Sequence, residues 1–225
     1  MNKALCLLLG VLLVAVPFFG TNRTDPTIAP ATEEIKTVYL TFDDGPTDST
    51  TPKVLDILHE KNVKATFFVI GQQIRGREEI LRRTYNEGHT IGIHTYTHEY
   101  NVIYKSAEAL LADIQKCKKA IANAIPNFDT NLYRFPGGSF LYPQYREAVT
   151  NAGYHYVDWN ASSDDAVLTN ASPQELFDRA IGSANGKSKI ILLMHDGVGR
   201  KATVQSLSAI IDHFSENGYI FSVFN

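Results

Sequence analysis

The chain has 225 residues, 44% hydrophobic and 20% charged, with a formal net charge of −3; that is the size of one or at most two folded domains and excludes a peptide-sized scaffold. Its 21 Lys and Arg are scattered and outnumbered by 24 acids, so the basic footprint needed for phosphate backbones is missing and nucleic acid is excluded as a partner. No tract is of low complexity and no repeat is visible, which leaves an ordinary globular fold.

Lys3 is followed by an uncharged, Leu- and Val-rich stretch from Ala4 to Gly20, the pattern of an export signal. Phe18 and Phe19 supply poorly the small residues that a cleavage site wants, and about 17 residues is the short limit of a membrane span. Cleaved signal peptide and retained signal anchor therefore both stand for residues 1–20. Residues 21–35 carry Pro, Thr and charge without an apolar period and are expected to be a linker to a domain over residues 36–225. Membrane contact is expected only through the N-terminal segment. The domain itself is expected to be extracellular, in the cell wall, or at the outer face of the cytoplasmic membrane. Cys6 lies in the apolar stretch and Cys117 in a helical pattern, so no disulfide framework is expected.

From Ile35 onward, seven short β-branched or aromatic runs alternate with amphipathic stretches. The strand-like runs are Val38–Phe42, Ala65–Val69, Thr90–His94, Leu132–Phe135, Tyr154–Trp159, Ile190–Met194 and Tyr219–Phe224. Helical patterns lie between them at Pro52–Lys61, Arg77–Asn86, Ala107–Ala124, Tyr145–Ala152, Pro173–Ser183 and Val204–Glu216. Strand alternating with helix is the signature of a parallel sheet, either an open doubly wound sheet or a barrel one strand short of eight. No G-x-G-x-x-G turn follows the first strand, which disfavours a dinucleotide site. Both architectures place function at the carboxyl ends of strands.

Those ends are where unusual residues collect. The first strand runs into TFDDGP with adjacent Asp43 and Asp44, the third into HTYTH with His94 and His98 four apart, the fourth into RFPGG with Arg134, and the sixth into LMHDG with His195. Each has a plainer reading alone: turn chemistry for Asp-Gly, chance spacing for two imidazoles, a solvated Arg, a satisfied core His. Together at strand ends they read as a constellation. Two imidazoles and a carboxylate suit a divalent ion, the Arg requires a carboxylate partner, and the glycine pair leaves N–H groups open to an oxyanion. Asp165, after the fifth strand, is placed to orient His195.

TFDDGP, HTYTH, RFPGG, DWNASSDDA and LMH stand in the order and spacing of the polysaccharide deacetylases, the NodB-homology family also called carbohydrate esterase family 4. The chain resembles that family from about Lys36 to Asn225. The resemblance implies a distorted (β/α) barrel of about seven parallel strands and a metal-dependent hydrolase removing acetyl groups from N-acetylated sugars or acetylated xylan. It makes Asp43 the catalytic base, and Asp44, His94 and His98 the ligands of a divalent ion, zinc first, cobalt or another divalent ion otherwise. Arg134 would hold Asp43 ionised and oriented. His195 would be the catalytic acid, with Asp165 its tether. The Gly137 N–H would be an oxyanion donor, and Leu193 the apolar wall for the acetyl methyl.

The fourth motif departs from the family. Many members read D-x-x-D-W, whereas Ser162, Ser163, Asp164, Asp165 and Ala166 stand here, so the usual Trp is missing, Asp164 competes with Asp165 as tether, and Trp159 is the only Trp able to fill the gap. Export plus such a site implies a polysaccharide substrate of the cell envelope, handled by a monomer. The N-acetylglucosamine of peptidoglycan comes first, exopolysaccharide or chitin next, and acetylated xylan third. A reading of another class is a non-catalytic glycan-binding relative, which the presence of both Asp43 and His195 disfavours.

Overall fold

The computed structural model describes residues 34–224, so the export segment and nearly all of the linker expected before residue 36 lie outside the described residues. In chain order the elements are β1 (Thr37–Asp43), α1 (Thr51–Glu60), β2 (Thr66–Ile70), α2 (Gly71–Ile74), α3 (Glu78–Asn86), β3 (Thr90–Thr95), α4 (Tyr100–Ile103), α5 (Ala107–Ala124) and β4 (Leu132–Tyr133). After a 3-10 turn at Pro143–Tyr145 come α6 (Arg146–Asn151), β5 (His155–Tyr156), β6 (Ala161–Ser162), α7 (Pro173–Ala184), β7 (Lys189–His195), α8 (Lys201–Glu216) and β8 (Ile220–Phe221). No helix among the described residues is long and apolar enough to cross a membrane.

Every strand pair is parallel, in the order β5-β4-β3-β2-β1-β7-β6, with β8 added beside β1. β1 pairs with β7 along its whole length, from Thr37 opposite Lys189 to Asp43 opposite His195. Its other edge is shared: β8 takes the first half, at Thr37 and Val38, and β2 the second, from Thr41 to Asp43.

Side-chain alternation sorts the sheet into two faces. Val38, Leu40 and Phe42 of β1, Phe67 and Val69 of β2, Ile91 and Ile93 of β3, and Ile190, Leu192 and Met194 of β7 belong to the core under the helices. The alternate residues, Thr41 and Asp43, Thr66 and Phe68, Gly92 and His94, Leu193 and His195, face the inside of the curl. The helices complete the outer layer with apolar stripes at three- and four-residue spacing: Val54, Leu55 and Leu58 on α1, Leu110, Ile114, Cys117 and Ile121 on α5, and Leu207, Ile210, Ile211 and Phe214 on α8. Ser106 caps α5, and a Ser172–Glu175 capping box with Pro173 opens α7.

Arg134, one residue beyond β4, measures the curl. In a flat sheet β4 and β1 would stand about 14 Å apart, three inter-strand spacings, beyond the reach of one side chain. Here the Arg134 guanidinium donates to Thr41 Oγ1 at 2.7 Å and to Asp43 Oδ1 at 3.0 Å. The sheet is therefore the distorted (β/α) barrel expected, open between β5 and β6. The run Tyr154–Trp159 forms a ladder only at His155–Tyr156, because the Val157 and Asp158 carbonyls accept from Arg134 instead, at 3.0 and 3.3 Å. The two-residue β6, which follows directly, gave no periodic signal.

Inside the curl, the Phe68 ring lies against Arg134, 4.1 Å from its guanidinium carbon. On the other side of that ring is Gly92, where an added Cβ would come within 2.7 Å of the Phe68 edge. Gly92→Ala is therefore expected to lower stability by about 1–3 kcal/mol through overpacking, read as a lower denaturant midpoint with an unchanged slope.

Candidate active site

All the polar residues that the sequence places at strand ends come together at the carboxyl end of the barrel. Asp43 closes β1 and is buried, one oxygen held by Arg134. The next residue, Asp44, takes a left-handed backbone at φ 77°, which turns its carboxylate back toward β3; Asp tolerates this conformation better than most residues. His94 faces inward at the end of β3. Its Nδ1 lies 2.9 Å from the Arg134 carbonyl oxygen, which fixes the proton on Nδ1 and leaves the Nε2 lone pair free. Burial keeps this imidazole neutral, its pKa lowered to about 3.

His98 is presented by the loop after β3. Asp113, on the buried face of α5, accepts from the N–H groups of Tyr96 and Thr97 and from the Thr97 hydroxyl, at 2.5, 3.3 and 3.0 Å. The Thr95 hydroxyl accepts from the His98 N–H at 3.1 Å, and His98 is itself left-handed at φ 62°. Two of the three converging residues thus sit in strained backbone, a pattern concentrated at functional sites.

The convergence is tight. His94 Nε2 and His98 Nε2 stand 3.6 and 3.5 Å from Asp44 Oδ1, and the candidate ligand atoms of Asp44, His94 and His98 lie within 4.8 Å of one another. Asp44 Oδ1 is buried without a hydrogen-bond partner. Donors about 2.1 Å from one ion at tetrahedral angles are about 3.4 Å apart. An orphaned buried carboxylate oxygen facing two imidazole lone pairs at that separation fits a divalent cation.

His195 ends β7 as the register partner of Asp43. Its Nδ1 is 2.7 Å from Asp165 Oδ1, and Asp165 Oδ2 accepts from the His195 N–H at 2.8 Å and from the Thr203 hydroxyl at 2.7 Å. Burial opposes the imidazolium, but the hydrogen bond and charge of Asp165 outweigh it, with Asp43 and Asp44 adding to them, and lift the pKa to about 9. Burial likewise raises the Asp43 carboxyl, against the pull of Arg134. Asp164 is not at the site; it takes a left-handed turn, with a carboxylate oxygen 3.8 Å from the exposed Arg179.

Leu193, inward and opposite Thr41, is 6% exposed. Gly137 lies in the loop after β4 at φ 77°, and Asp158 fixes that loop by accepting from the Ser139 N–H at 2.8 Å and the Ser139 hydroxyl at 2.5 Å. Trp159 sits on the far side of this loop, its ring 5.8 Å from the Arg134 guanidinium carbon and 5.6 Å from Phe140. The sequence reading singled out neither Asp113, Asp158 nor Asp196, all of which shape the site. For Asp113 a signal was there to find: a carboxylate interrupting the apolar stripe of Leu110, Ile114 and Cys117. A surface cavity of about 580 Å³ lined by Tyr85, His89, Phe128 and Phe224 lies at the opposite end of the strands and holds none of these residues.

A parallel barrel with a paired carboxylate and imidazole beside a metal-type ligand cluster at the carboxyl ends of its strands is the framework of a hydrolase. The family model described as Polysaccharide deacetylase matches residues 31–157. A peptidoglycan-N-acetylglucosamine deacetylase of Bacillus cereus is 34% identical over 187 residues, covering 83% of this chain and 85% of that protein. Among solved structures, a Streptococcus mutans CE4 esterase superposes with a TM-score of 0.79 at 31% identity over 84% of this chain and 86% of its own. The catalytic domain of a Eubacterium rectale peptidoglycan N-acetylglucosamine deacetylase gives 0.78 at 32% identity, covering 90% of this chain and 93% of that one. The chain belongs to the polysaccharide deacetylase family and is a hydrolase.

The ligand geometry predicts one divalent ion per chain. Cobalt titration followed by visible absorption should reach a stoichiometric end point in the unaltered protein and show no tight site in His94→Ala; stoichiometric binding retained in that variant would assign the ion to other residues.

Proposed function

We propose that the chain is an exported, divalent-metal-dependent deacetylase that releases acetate from N-acetylglucosamine residues of an envelope polysaccharide, peptidoglycan first. The observation that carries this reading is the pairing of Asp43 with His195 in adjacent strand positions, each tied to a partner of opposite charge, Arg134 and Asp165, beside the Asp44–His94–His98 cluster. The apolar stretch Ala4–Gly20 supports export. The Bacillus cereus and Eubacterium rectale relatives, named for peptidoglycan, support that polymer.

Asp44, His94 and His98 would hold a divalent cation, zinc first, and that ion would supply the lowered pKa of a water and the polarisation of the acetyl carbonyl. The chain's own residues do the rest. With Oδ1 engaged by Arg134, Asp43 keeps Oδ2 to take a proton from the attacking water. The water oxygen bonds to the acetyl carbon, the carbon–nitrogen bond breaks, and the nitrogen lone pair takes a proton from His195, giving acetate and the free amine. An amine leaves poorly without that proton. Because Asp165 holds Nδ1, Nε2 is the end of the ring that donates it. The Gly137 N–H faces the acetyl oxygen, and Leu193 backs the methyl.

The full chain loaded with zinc or cobalt should release acetate from N-acetylglucosamine oligomers and peptidoglycan. Chelation should abolish this, and added ion restore it. Asp43→Asn should keep the ion and lose turnover on the order of 10²- to 10⁴-fold; loss of the ion in that variant, with turnover surviving in Asp44→Asn, would reverse the two roles.

The raised pKa of His195 sets the direction of a second test. A general acid works while protonated, so activity should fall as pH rises through about 9. Asp165 is what holds that pKa up; in Asp165→Asn the alkaline limb should therefore move to lower pH, whereas Asp164→Asn should leave it in place.

A further inference from the structure

Four tyrosines gather at the mouth of the site. The Tyr104 hydroxyl donates to the Pro136 carbonyl, and the Tyr145 hydroxyl to the Tyr104 carbonyl, both at 2.7 Å. Tyr104 stacks on Tyr142 with ring centroids 3.5 Å apart and on Tyr100 at 5.8 Å. Tyr104 and Tyr145 thus hold the Pro136–Gly137 loop and support the Tyr100 ring from behind. In front, that ring lies 5.5 Å from the ring of His98.

The Tyr100 hydroxyl occupies an unusual position. A Cβ built on Gly137 would stand 3.2 Å from Leu141 Cδ1, 3.3 Å from the phenol oxygen and 3.8 Å from its Cζ, so Leu141 and the phenol together fill the space that a side chain at 137 would otherwise take. Among the described residues nothing hydrogen-bonds to the phenol oxygen, so its donor is free for a group from outside the chain. The residue is 46% exposed, with its ring beside His98 and its oxygen beside Gly137. A donor without a protein acceptor, lodged between a candidate metal ligand and the glycine that faces the acetyl oxygen, is arranged for an acceptor on the substrate.

We propose that Tyr100 is a catalytic residue whose hydroxyl donates a hydrogen bond to the substrate's acetyl oxygen, alongside the Gly137 N–H. The proposal rests on the deacetylase reading. As water adds, the carbonyl π pair moves onto that oxygen; as the carbon–nitrogen bond breaks, it returns. The phenol, its pKa raised by burial, shares its proton throughout and does not transfer it. A donor placed where charge develops lowers the barrier more than it aids ground-state binding.

Tyr100→Phe keeps the ring and its stacking and removes only the donor. With an N-acetylglucosamine tetramer, kcat should fall about 10²-fold with KM within about twofold and cobalt affinity unchanged. Acetate binding to the cobalt-loaded full chain, measured by calorimetry, should weaken about tenfold in the same variant. A raised KM at unchanged kcat would make Tyr100 a sugar contact and overturn the proposal, as would a loss of cobalt affinity, which would mean that it acts through His98. If the unaltered protein released no acetate from any N-acetylated polymer, the deacetylase reading would fall. The acetate arm would still decide on Tyr100, since unchanged acetate affinity in Tyr100→Phe overturns its assignment as a donor to that oxygen.

Discussion

The Arg134 guanidinium lies in the barrel interior with no solvent exposure, and a cation there is tolerable only when every side of it is answered. The answers come from four directions: the Asp43 carboxylate, the Thr41 hydroxyl, the Val157 and Asp158 carbonyls, and the face of Phe68. Satisfying one side chain therefore fastens β4 to β1 and to the segment after β5, on the side where the strand order ends. It also aims Asp43. The main chain of the same residue does a second job, since its carbonyl sets the tautomer of His94. A carboxylate and an imidazole on different strands are thus oriented by one arginine.

The two loops that carry Asp44 and follow His195 are also joined, and here threonines make the join. The hydroxyls of Thr47 and Thr50 donate to the carbonyls of Asp196 and Gly197 at 2.8 and 3.0 Å, and that of Thr51 to the Asp196 carboxylate at 2.6 Å. Asp196 is buried, and burial, with the charges of Asp43 and Asp44, raises its pKa to about 7. Gly45 packs directly on that carboxyl, so a side chain there would collide with it. The Asp-Gly step after β1, which on its own looks like ordinary turn chemistry, is a close approach between two loops of the site. The loop after Asp43 and the loop after His195 are consequently tied to each other.

Much of this could be read along the chain because the sheet is two-faced. Outward residues such as Leu40, Phe42, Leu192 and Met194 make the runs apolar, and the polar residues that interrupt their ends, Asp43, His94, Arg134 and His195, stand out for that reason. The helices showed in the same way, as stripes. What was hidden depends on partners far off in sequence. Asp165 and Asp164 are adjacent and chemically alike; only His195 and Thr203, 30 and 38 residues on, separate them. Tyr219–Phe224 has the composition of a full strand but pairs for two residues, because β8 must share an edge of β1 with β2. Tyr100 carried no signal at all, since its position depends on what Gly137 lacks.

That shared edge bears on how the protein can be made. β1, the first strand to emerge, finds its long partner in β7; the Thr41 hydroxyl, for instance, donates to a carbonyl 151 residues later. The last residues then close the base, with Ile220 donating to the Lys36 carbonyl and Thr90 donating to the Phe224 carbonyl. Pairings of such sequence separation form slowly, because the loop must close before any contact rewards it. From the N-terminal half β1 gains only the short pairing with β2 at Thr41 to Asp43, and the register that sets Asp43 beside His195 waits for β7.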